Sequence, residues 1–199
     1  MKKITVYKTI LVILIIMAII LSALVIKKNV ESNKIENQAQ TVLKEIKNKE
    51  VTNNEQNNVI QEIDAEIEGY KVVGIIKIPK IEIEYPILEK TDKTSLNLSI
   101  TKFWGQKINQ KGNVVLAGHN NLNNKMFGRI DELENGDILE LTDSQMVTVK
   151  YQVFKTYVID PNDITCILPE DENLREVTLI TCTNGNENRF IVKAREILK

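Results

Sequence analysis

The stretch "VTLITCTNGNENRFIV", residues 177–192, joins two strand-forming segments through a short polar connection. The first segment is apolar and β-branched and ends at Cys182, and the second begins at Arg189. The Asn–Gly step between them is typical of a tight turn between antiparallel strands. The stretch therefore predicts a β-hairpin with a thiol at the end of one strand and a guanidinium at the start of the next.

Short strand-like segments recur through most of the chain before this hairpin. Gly, Asn, Asp and Pro residues separate them, as expected for turns. Two segments, 93–100 and 124–133, have a helical pattern instead. The predicted strands are 71–79, 84–89, 113–118, 137–142, 147–159, 176–183 and 189–197. Many short strands with few helices favour a mostly β domain, which could be a closed barrel or a sandwich.

The N-terminus has the composition of a membrane-spanning helix. Residues 10–26 read "ILVILIIMAIILSALVI", in which Ser22 is the one polar residue. This run is at the short end of what crosses a bilayer as a helix. A cleaved signal peptide is the alternative, but the apolar run leads directly into lysines without a small-residue cleavage pattern. We expect an uncleaved anchor over residues 1–28, with its N-terminus in the cytoplasm because of a slight excess of lysines before the run.

A polar segment, residues 29–69, follows the anchor and is rich in Asn, Glu, Gln and Lys. Apolar residues at helical spacing predict two short helical pieces, separated by the run "TNNEQNN" (52–58). Too few heptads are present for a coiled coil. We expect a partly helical spacer, whose second piece could pack on the β domain of residues 70–199. The spaced apolar residues are Ile35, Ala39, Val42 and Ile46 in the first piece and Val59, Ile63 and Ile67 in the second.

Composition excludes several classes of function. The chain has 199 residues, a net charge of −1 and an estimated pI of 6.0, so no basic face indicates a nucleic-acid partner. Two cysteines are too few for a disulfide scaffold, and a single histidine excludes a multi-histidine metal site. Because the common metal-binding motifs are also missing, we expect neither a metal nor a cofactor.

Three residues at predicted strand ends could form a cysteine-dependent catalytic site. Such a site needs a thiolate, an acid–base partner and a group that stabilises the charge developing on the attacked carbonyl. Cys182 ends one strand, His119 ends "NVVLAGH", and Arg189 begins another strand. Taken singly, each has a structural explanation: a buried small thiol, a turn histidine and a solvated strand start. Their common placement at strand ends is what favours a site.

Several neighbouring residues are further candidates. Thr181 and Thr183 flank the thiol on the opposite face of its strand, where they could set the strand end. Asn120 could orient the histidine ring or could simply form a polar turn, and the single tryptophan, Trp104, could be a groove wall or part of the core. We take these four as candidate substrate-binding residues. The second cysteine, Cys166, is expected to be a packed, inert thiol.

The motifs resemble those of the sortases, the cysteine transpeptidases of Gram-positive bacterial surfaces. "TLITC" followed by "NRFIV" matches the family's nucleophile region, and "VVLAGH" matches its histidine strand some sixty residues upstream. "IIKIPKIEIEYPI" resembles the first two family strands, and "MFGRIDELENGDIL" resembles the segment after the histidine strand. The resemblance covers residues 70–199 and agrees with the N-terminal anchor.

The resemblance implies a fold, a site and a reaction. The fold would be a closed eight-stranded β-barrel with short helices. Cys182 would be the nucleophile, His119 the proton donor to the leaving amine, and Arg189 the residue that holds substrate and stabilises the oxyanion. The enzyme would cleave an LPXTG-like sorting signal of a surface protein between Thr and Gly through a thioester. A cell-wall precursor amine or a pilin lysine would then accept the acyl group, outside the cell membrane.

Two departures bear on the subclass. The connection between Cys182 and Arg189 is shorter than in many relatives, and residues 29–69 contain no Asp-Pro-aromatic lid like that of pilus-building sortases. These features resemble a class D or class A enzyme more than a pilin polymerase. Two alternatives stay open: a hydrolytic cysteine peptidase with the same site, and a non-catalytic membrane-tethered domain that binds wall polymer. An L,D-transpeptidase is disfavoured because its "SHGC" run is missing.

Overall fold

A computed structural model of the chain describes residues 2–54, 62–120, 125–183, 185 and 187–198. Within these residues the chain forms two α-helices, three short 3-10 helices and nine β-strands. The α-helices are α1 (Lys2–Asn54) and α2 (Lys93–Leu98), and the 3-10 helices are Pro79–Ile81, Ile130–Glu132 and Thr165–Ile167. The strands are β1 (Glu66–Ile67), β2 (Tyr70–Ile78), β3 (Ile83–Leu88), β4 (Ile100–Gly105), β5 (Gly112–Ala117), β6 (Ile138–Asp143), β7 (Thr148–Ile159), β8 (Arg175–Thr183) and β9 (Asn188–Glu196).

Strands β2 to β9 close into an eight-stranded barrel. The strand order is β2-β3-β4-β5-β8-β9-β7-β6, and β6 pairs back onto β2, so the sheet has no free end. The pairs β3–β4 and β5–β8 are parallel, whereas the other pairs of the barrel are antiparallel. The two-residue strand β1 adds to β2 outside the barrel. The expected closed eight-stranded barrel is confirmed, and the sandwich alternative is excluded.

The barrel interior is filled by the inward-facing residues of each strand. On β8, Val177 and Leu179 are fully buried, and on β9 Val192 and Ala194 are fully buried beside them. In each strand the two residues are two positions apart, as expected for side chains on one face of a strand. The core also contains a buried polar contact. The hydroxyl of the fully buried Tyr151 donates to the side-chain oxygen of Asn109 at 2.9 Å.

Strand β4 was not predicted from the sequence, because no strand was predicted between the helical segment 93–100 and the strand 113–118. Its residues 103–105 are exposed, so it lacks the apolar alternation of the other strands. A bulge between Lys102 and Trp104 also shifts its register against β5. The helix predicted over 93–100 is present as α2. Of the one predicted over 124–133, residue 124 lies outside the described residues, and the rest contains turns and the short 3-10 helix Ile130–Glu132.

Helix α1 is continuous from Lys2 to Asn54, which differs from the expected pair of short helical pieces. Of the second expected piece, Val59 lies outside the described residues. Ile63 lies in extended chain, where its N–H donates to the Ser144 carbonyl, and Ile67 belongs to β1. The described part of the helix includes residues 52–54 of the polar run that suggested a break, and residues 55–58 of that run lie outside the described residues.

The chain divides into two compact units, Met1–Asn37 and Gln38–Lys199. The second unit therefore includes the C-terminal part of α1 together with the barrel. Within it, the amide of Gln40 donates to the Glu84 carbonyl of β3 at 3.1 Å, and Lys47 forms an ion pair with the Glu84 carboxylate at 2.6 Å. Ala39, Leu43 and Ile46 are buried. This helix segment is thus packed as part of the β unit.

The first unit contains the apolar run. Among the described residues, one helical segment, Ile10–Lys49, is long and apolar enough to cross a membrane by length and composition. Its large apolar side chains from Ile10 to Ile26 are about half exposed or more. This is a candidate membrane anchor at the position that the sequence indicates.

Replacement of Leu43 tests the packing of α1 on the barrel. Leu43→Ala removes a side chain that is 4% exposed, so it should lower the free energy of unfolding by about 2 kcal/mol or more. Calorimetry of the full-length chain in detergent micelles measures this change. Lys44→Ala, at the exposed neighbouring position, is the matched control and should leave the unfolding midpoint unchanged. Equal midpoints for both variants would contradict the packing.

Candidate active site

Cys182 and Arg189 face each other across the β8–β9 ribbon. They form a register pair, and Thr183 pairs with Asn188 as the last step before the four-residue connection 184–187. Directly opposed residues of antiparallel strands have side chains on the same face, with Cα atoms about 4.5–5.5 Å apart. The thiol is partly exposed and forms no disulfide. The hairpin therefore presents a thiol and a guanidinium side by side, as its sequence predicts.

His119 is brought to the same edge by the parallel pairing of β5 with β8. Ala117 pairs with Ile180, and the Gly118 N–H donates to the Ile180 carbonyl at 3.2 Å. One step further, the side-chain amide of Asn120 donates to the Cys182 carbonyl at 2.9 Å. Because these contacts continue the ladder past the strand ends, His119 lies beside the end of β8. The three candidate residues thus come from adjacent strand ends.

Two contacts fix the backbone around His119. A Cβ atom at Gly118 would lie 2.8 Å from the Phe127 ring, so only glycine leaves room for this ring at that position. The Phe127 N–H in turn donates to the His119 carbonyl at 3.1 Å. In the "AGH" sequence, the glycine is therefore required by packing against Phe127, and the histidine supplies the imidazole of the candidate site.

The imidazole has a partner that sequence analysis did not select. The side-chain oxygen of Asn97, on α2, lies 3.1 Å from His119 Nε2. Because an amide oxygen accepts a hydrogen bond, this contact favours the neutral tautomer with its proton on Nε2 and with Nδ1 as the basic nitrogen. α2 is fixed by a capping box at Asp92. No local pattern links Asn97 to a histidine 22 residues away.

The electrostatic setting favours a neutral ring. Burial lowers the pKa of His119 below its ordinary value, because the imidazolium is less well solvated there. The Arg189 guanidinium remains charged, and one of its N–H groups donates to the Asn188 carbonyl at 3.0 Å. The arrangement combines a thiol, a neutral base and a permanent cation at one edge, which is suited to acyl transfer through sulfur.

The four candidate substrate-binding residues have different positions. Thr181 is 4% exposed and its hydroxyl donates to the Gly118 carbonyl at 2.8 Å, so it joins β8 to the histidine loop within the barrel wall. Asn120 likewise uses its amide on the Cys182 carbonyl. Thr183 is partly exposed at the hairpin. Trp104 is 59% exposed on β4, which excludes the core alternative. Contact of these residues with a substrate stays a prediction.

Cys166 lies in the 3-10 helix between β7 and β8 and is 3% exposed. Burial, with a smaller contribution from Asp163, raises the pKa of its thiol and keeps it protonated. This position agrees with a packed thiol outside any disulfide.

In the part of the chain that the structure describes, no cluster of three or more His, Cys, Asp or Glu side chains could hold a metal ion.

Comparison with known proteins identifies a family. The sortase domain model matches residues 76–197. Sortase A of Bacillus anthracis is 28% identical over 141 residues, covering 69% of this chain and 66% of its own. Sortase D of Bacillus subtilis (strain 168) is 32% identical over 130 residues, covering 62% of this chain and 63% of its own. The chain thus spans less than two thirds of each relative's length.

A solved structure gives the same answer for the fold. A Clostridium perfringens sortase D5 transpeptidase superimposes with a TM-score of 0.63 at 27% identity. The match covers 81% of this chain and 99% of that one. The barrel and the order of its motifs therefore agree with this family in sequence and in structure.

The single histidine allows its ionisation to be measured directly. Because burial disfavours the imidazolium, NMR titration of the folded full-length chain in detergent should give a His119 midpoint below about 6.5. The nitrogen shifts should show the proton of the neutral ring on Nε2. Asn97→Ala should lose this preference for one tautomer.

The unfolded chain in concentrated urea is the reference for this titration. There the midpoint should return to the ordinary histidine value, so acidification between the two midpoints should destabilise the folded chain. A folded-state midpoint at or above the urea value would contradict the proposed effect of burial.

Proposed function

This chain belongs to the sortase family, and from that premise we propose that it is a membrane-anchored cysteine transpeptidase. In this proposal it cleaves an LPXTG-like sorting signal between Thr and Gly and transfers the surface protein to a cell-wall amine. His119, Cys182 and Arg189 are its catalytic residues. The subclass is proposed to be D-like or A-like, in keeping with the short connection between β8 and β9.

One observation carries the proposal: the register pair of Cys182 and Arg189 with His119 at the adjacent strand end. Closing a barrel brings strands distant in sequence together, and here a thiol, an imidazole and a guanidinium lie at one edge, which supports the proposed roles. A merely structural thiol has no need of both partners. The family match over residues 76–197 includes all three residues.

The first half of the reaction follows from these groups. The Cys182 thiol passes its proton to the basic Nδ1 of His119, and the sulfur attacks the threonine carbonyl carbon. The Arg189 guanidinium stabilises the negative charge that develops on the carbonyl oxygen. As the intermediate collapses, the C–N bond breaks, and the glycine nitrogen takes the proton from the imidazolium. A thioester on Cys182 and a free amine result.

The second half reverses these roles. The acceptor amine attacks the thioester carbonyl, His119 takes the proton that the new amide nitrogen loses, and the Cys182 thiolate leaves and is reprotonated. Water as acceptor would give hydrolysis by the same steps, which is the alternative of a cysteine peptidase. A thioester is reactive towards amines, so a positioned amine can compete with water. Product masses with and without added oligoglycine or diaminopimelate separate these two outcomes.

The membrane part of the proposal rests on the helical run at the N-terminus. We propose a single span over residues 10–26 with the N-terminus in the cytoplasm, because three lysines precede the run and two follow it. The β unit would then face the cell wall, where surface proteins with sorting signals and amine acceptors are found. Protease treatment of intact protoplasts should remove the β unit. Protection of that unit until lysis would reverse the orientation.

The role of Arg189 can be tested by conservative replacement. A lysine keeps the charge but cannot offer the planar pair of N–H donors. Arg189→Lys should therefore lower kcat/KM on a sorting peptide by about a hundredfold or more, while the unfolding midpoint is retained. Arg129→Lys is the matched control, because Arg129 contacts Glu132 and the Ile81 carbonyl away from these strands.

Cys182→Ala separates an enzyme from a binding domain. The full-length chain should form a covalent adduct with a peptidyl electrophile, and the Cys182→Ala variant should form none at this site. An adduct of equal yield in this variant, or wild-type turnover by Arg189→Lys, would contradict the assignment. Peptide binding without any adduct or cleavage would favour the non-catalytic alternative.

A further inference from the structure

The outer face of the β8–β9 ribbon carries more than the candidate catalytic pair. Register pairs along this face alternate with the pairs that fill the barrel. From the catalytic end the face holds Cys182–Arg189, then Ile180–Ile191, then Thr178–Lys193 and finally Glu176–Arg195. The last two pairs place four polar side chains on this face. The nearer of these pairs begins at Thr178, which is four residues from Cys182 and therefore about 13 Å away along the strand.

Three polar side chains on this part of the face are nearly inaccessible. Glu176 is 2% exposed, Thr178 is fully buried and Lys193 is 4% exposed. Carboxylates and ammonium groups are rarely buried in this way unless their partners are built in. The segment that covers them is the connection between β7 and β8, residues 160–174, here called the covering loop.

Each of these side chains binds the backbone of the covering loop. Lys193 Nζ donates to the Leu168 carbonyl at 2.8 Å. The Glu176 carboxylate accepts the N–H groups of Glu170 and Asp171 at 2.7 and 3.2 Å. Thr178 donates to the Cys166 carbonyl at 3.3 Å. Consecutive parts of the loop are therefore held by buried groups on a single strand ribbon.

Each buried charge of this arrangement has a partner of opposite sign. Arg195 donates to the Glu176 carboxylate from the same face, at 2.9 Å. Lys193 Nζ lies 3.8 Å from the Glu170 carboxylate. The same carboxylate accepts a hydrogen bond from Lys155 Nζ, on the solvent side, at 3.1 Å. Strand β5 adds Asn113, whose amide donates to the Ile167 carbonyl at 2.9 Å. Removing one buried partner would leave another charged or polar group without compensation.

We propose that Lys193 and Glu176 form a latch that keeps the covering loop in a single conformation, ready to serve as one wall of the path to Cys182. The two are positioning residues. They hold the loop backbone from below, while the side chains of Ile164 and Leu168, 68% and 61% exposed, remain on its outer surface. A preformed wall avoids the entropy cost of ordering a loop on binding. This role rests on the proposed function, since it concerns binding of the peptide substrate.

Cys166 reports on the latch independently of catalysis. It belongs to the covering loop, with its side chain only 3% exposed, and in a Cys182→Ala background it is the only thiol of the chain. Labelling of the full-length chain in detergent with N-ethylmaleimide then measures how often the loop opens. Lys193→Met, which keeps most of the side-chain length but not the charge, should speed labelling by about tenfold or more. Glu176→Gln should also speed it, and it continues the test if Lys193→Met does not fold.

Lys155→Met is the matched control. It removes an ammonium group that contacts the same loop at Glu170, but from a position that is 53% exposed. Solvated ion pairs contribute little, so labelling of Cys166 should stay within about twofold of the parent rate. Unchanged labelling in both Lys193→Met and Glu176→Gln, or equal acceleration in Lys155→Met, would overturn the latch.

Steady-state cleavage of a sorting peptide tests the positioning role. With Cys182 intact, Lys193→Met should raise KM by about fivefold or more and change kcat by less than about threefold, because the catalytic groups themselves are retained. Faster labelling with an unchanged KM, or a loss confined to kcat, would overturn this role. If the unaltered chain cleaves no sorting peptide, the proposed function fails along with the positioning role, whereas the labelling rates still decide on the latch.

Discussion

The in-register pairing of β8 with β5 on one side and β9 on the other is the constraint on which the rest depends. A slip by one residue in either pair would turn Cys182 away from Arg189 or from the edge where His119 lies. Such a slip would also turn Val177 and Leu179 out of the core, so burial of the interior fixes the geometry of the edge. Core packing and site geometry are therefore specified by the same pairing.

The two faces of this ribbon are used in opposite ways. The inner face packs the barrel interior, whereas the outer face carries the pair Cys182–Arg189 at one end, the apolar pair Ile180–Ile191 next to it and two polar pairs at the other end. At one end the pairs are buried and bind the backbone of the covering loop, and at the other end the thiol stays partly exposed. In our proposal the buried end keeps the loop in one conformation, while the open end leaves the sulfur partly exposed.

Packing of the α1 segment on β3 changes how the spacer is understood. A polar segment with a few apolar residues reads as a linker in isolation, since short helices gain most of their stability from tertiary contacts. Here Leu43 and Ile46 supply the apolar stripe and Glu84 the polar partner, so the helix continues into the β unit. A soluble form that begins near Glu68 would lack this helix, and one that begins near Gln38 would retain it.

The sequence by itself determined most of the strands, the candidate anchor and the hairpin that joins Cys182 to Arg189, because these depend on local alternation, apolar length and turn residues. It also singled out His119, since the chain has one histidine and it follows an apolar strand. Only the tertiary structure decided that β4 is a strand, that Asn97 meets the imidazole and that Lys193 and Glu176 lie beneath a loop. Each of these depends on a bulge or on a contact between distant segments, and local periodicity carries no information about either.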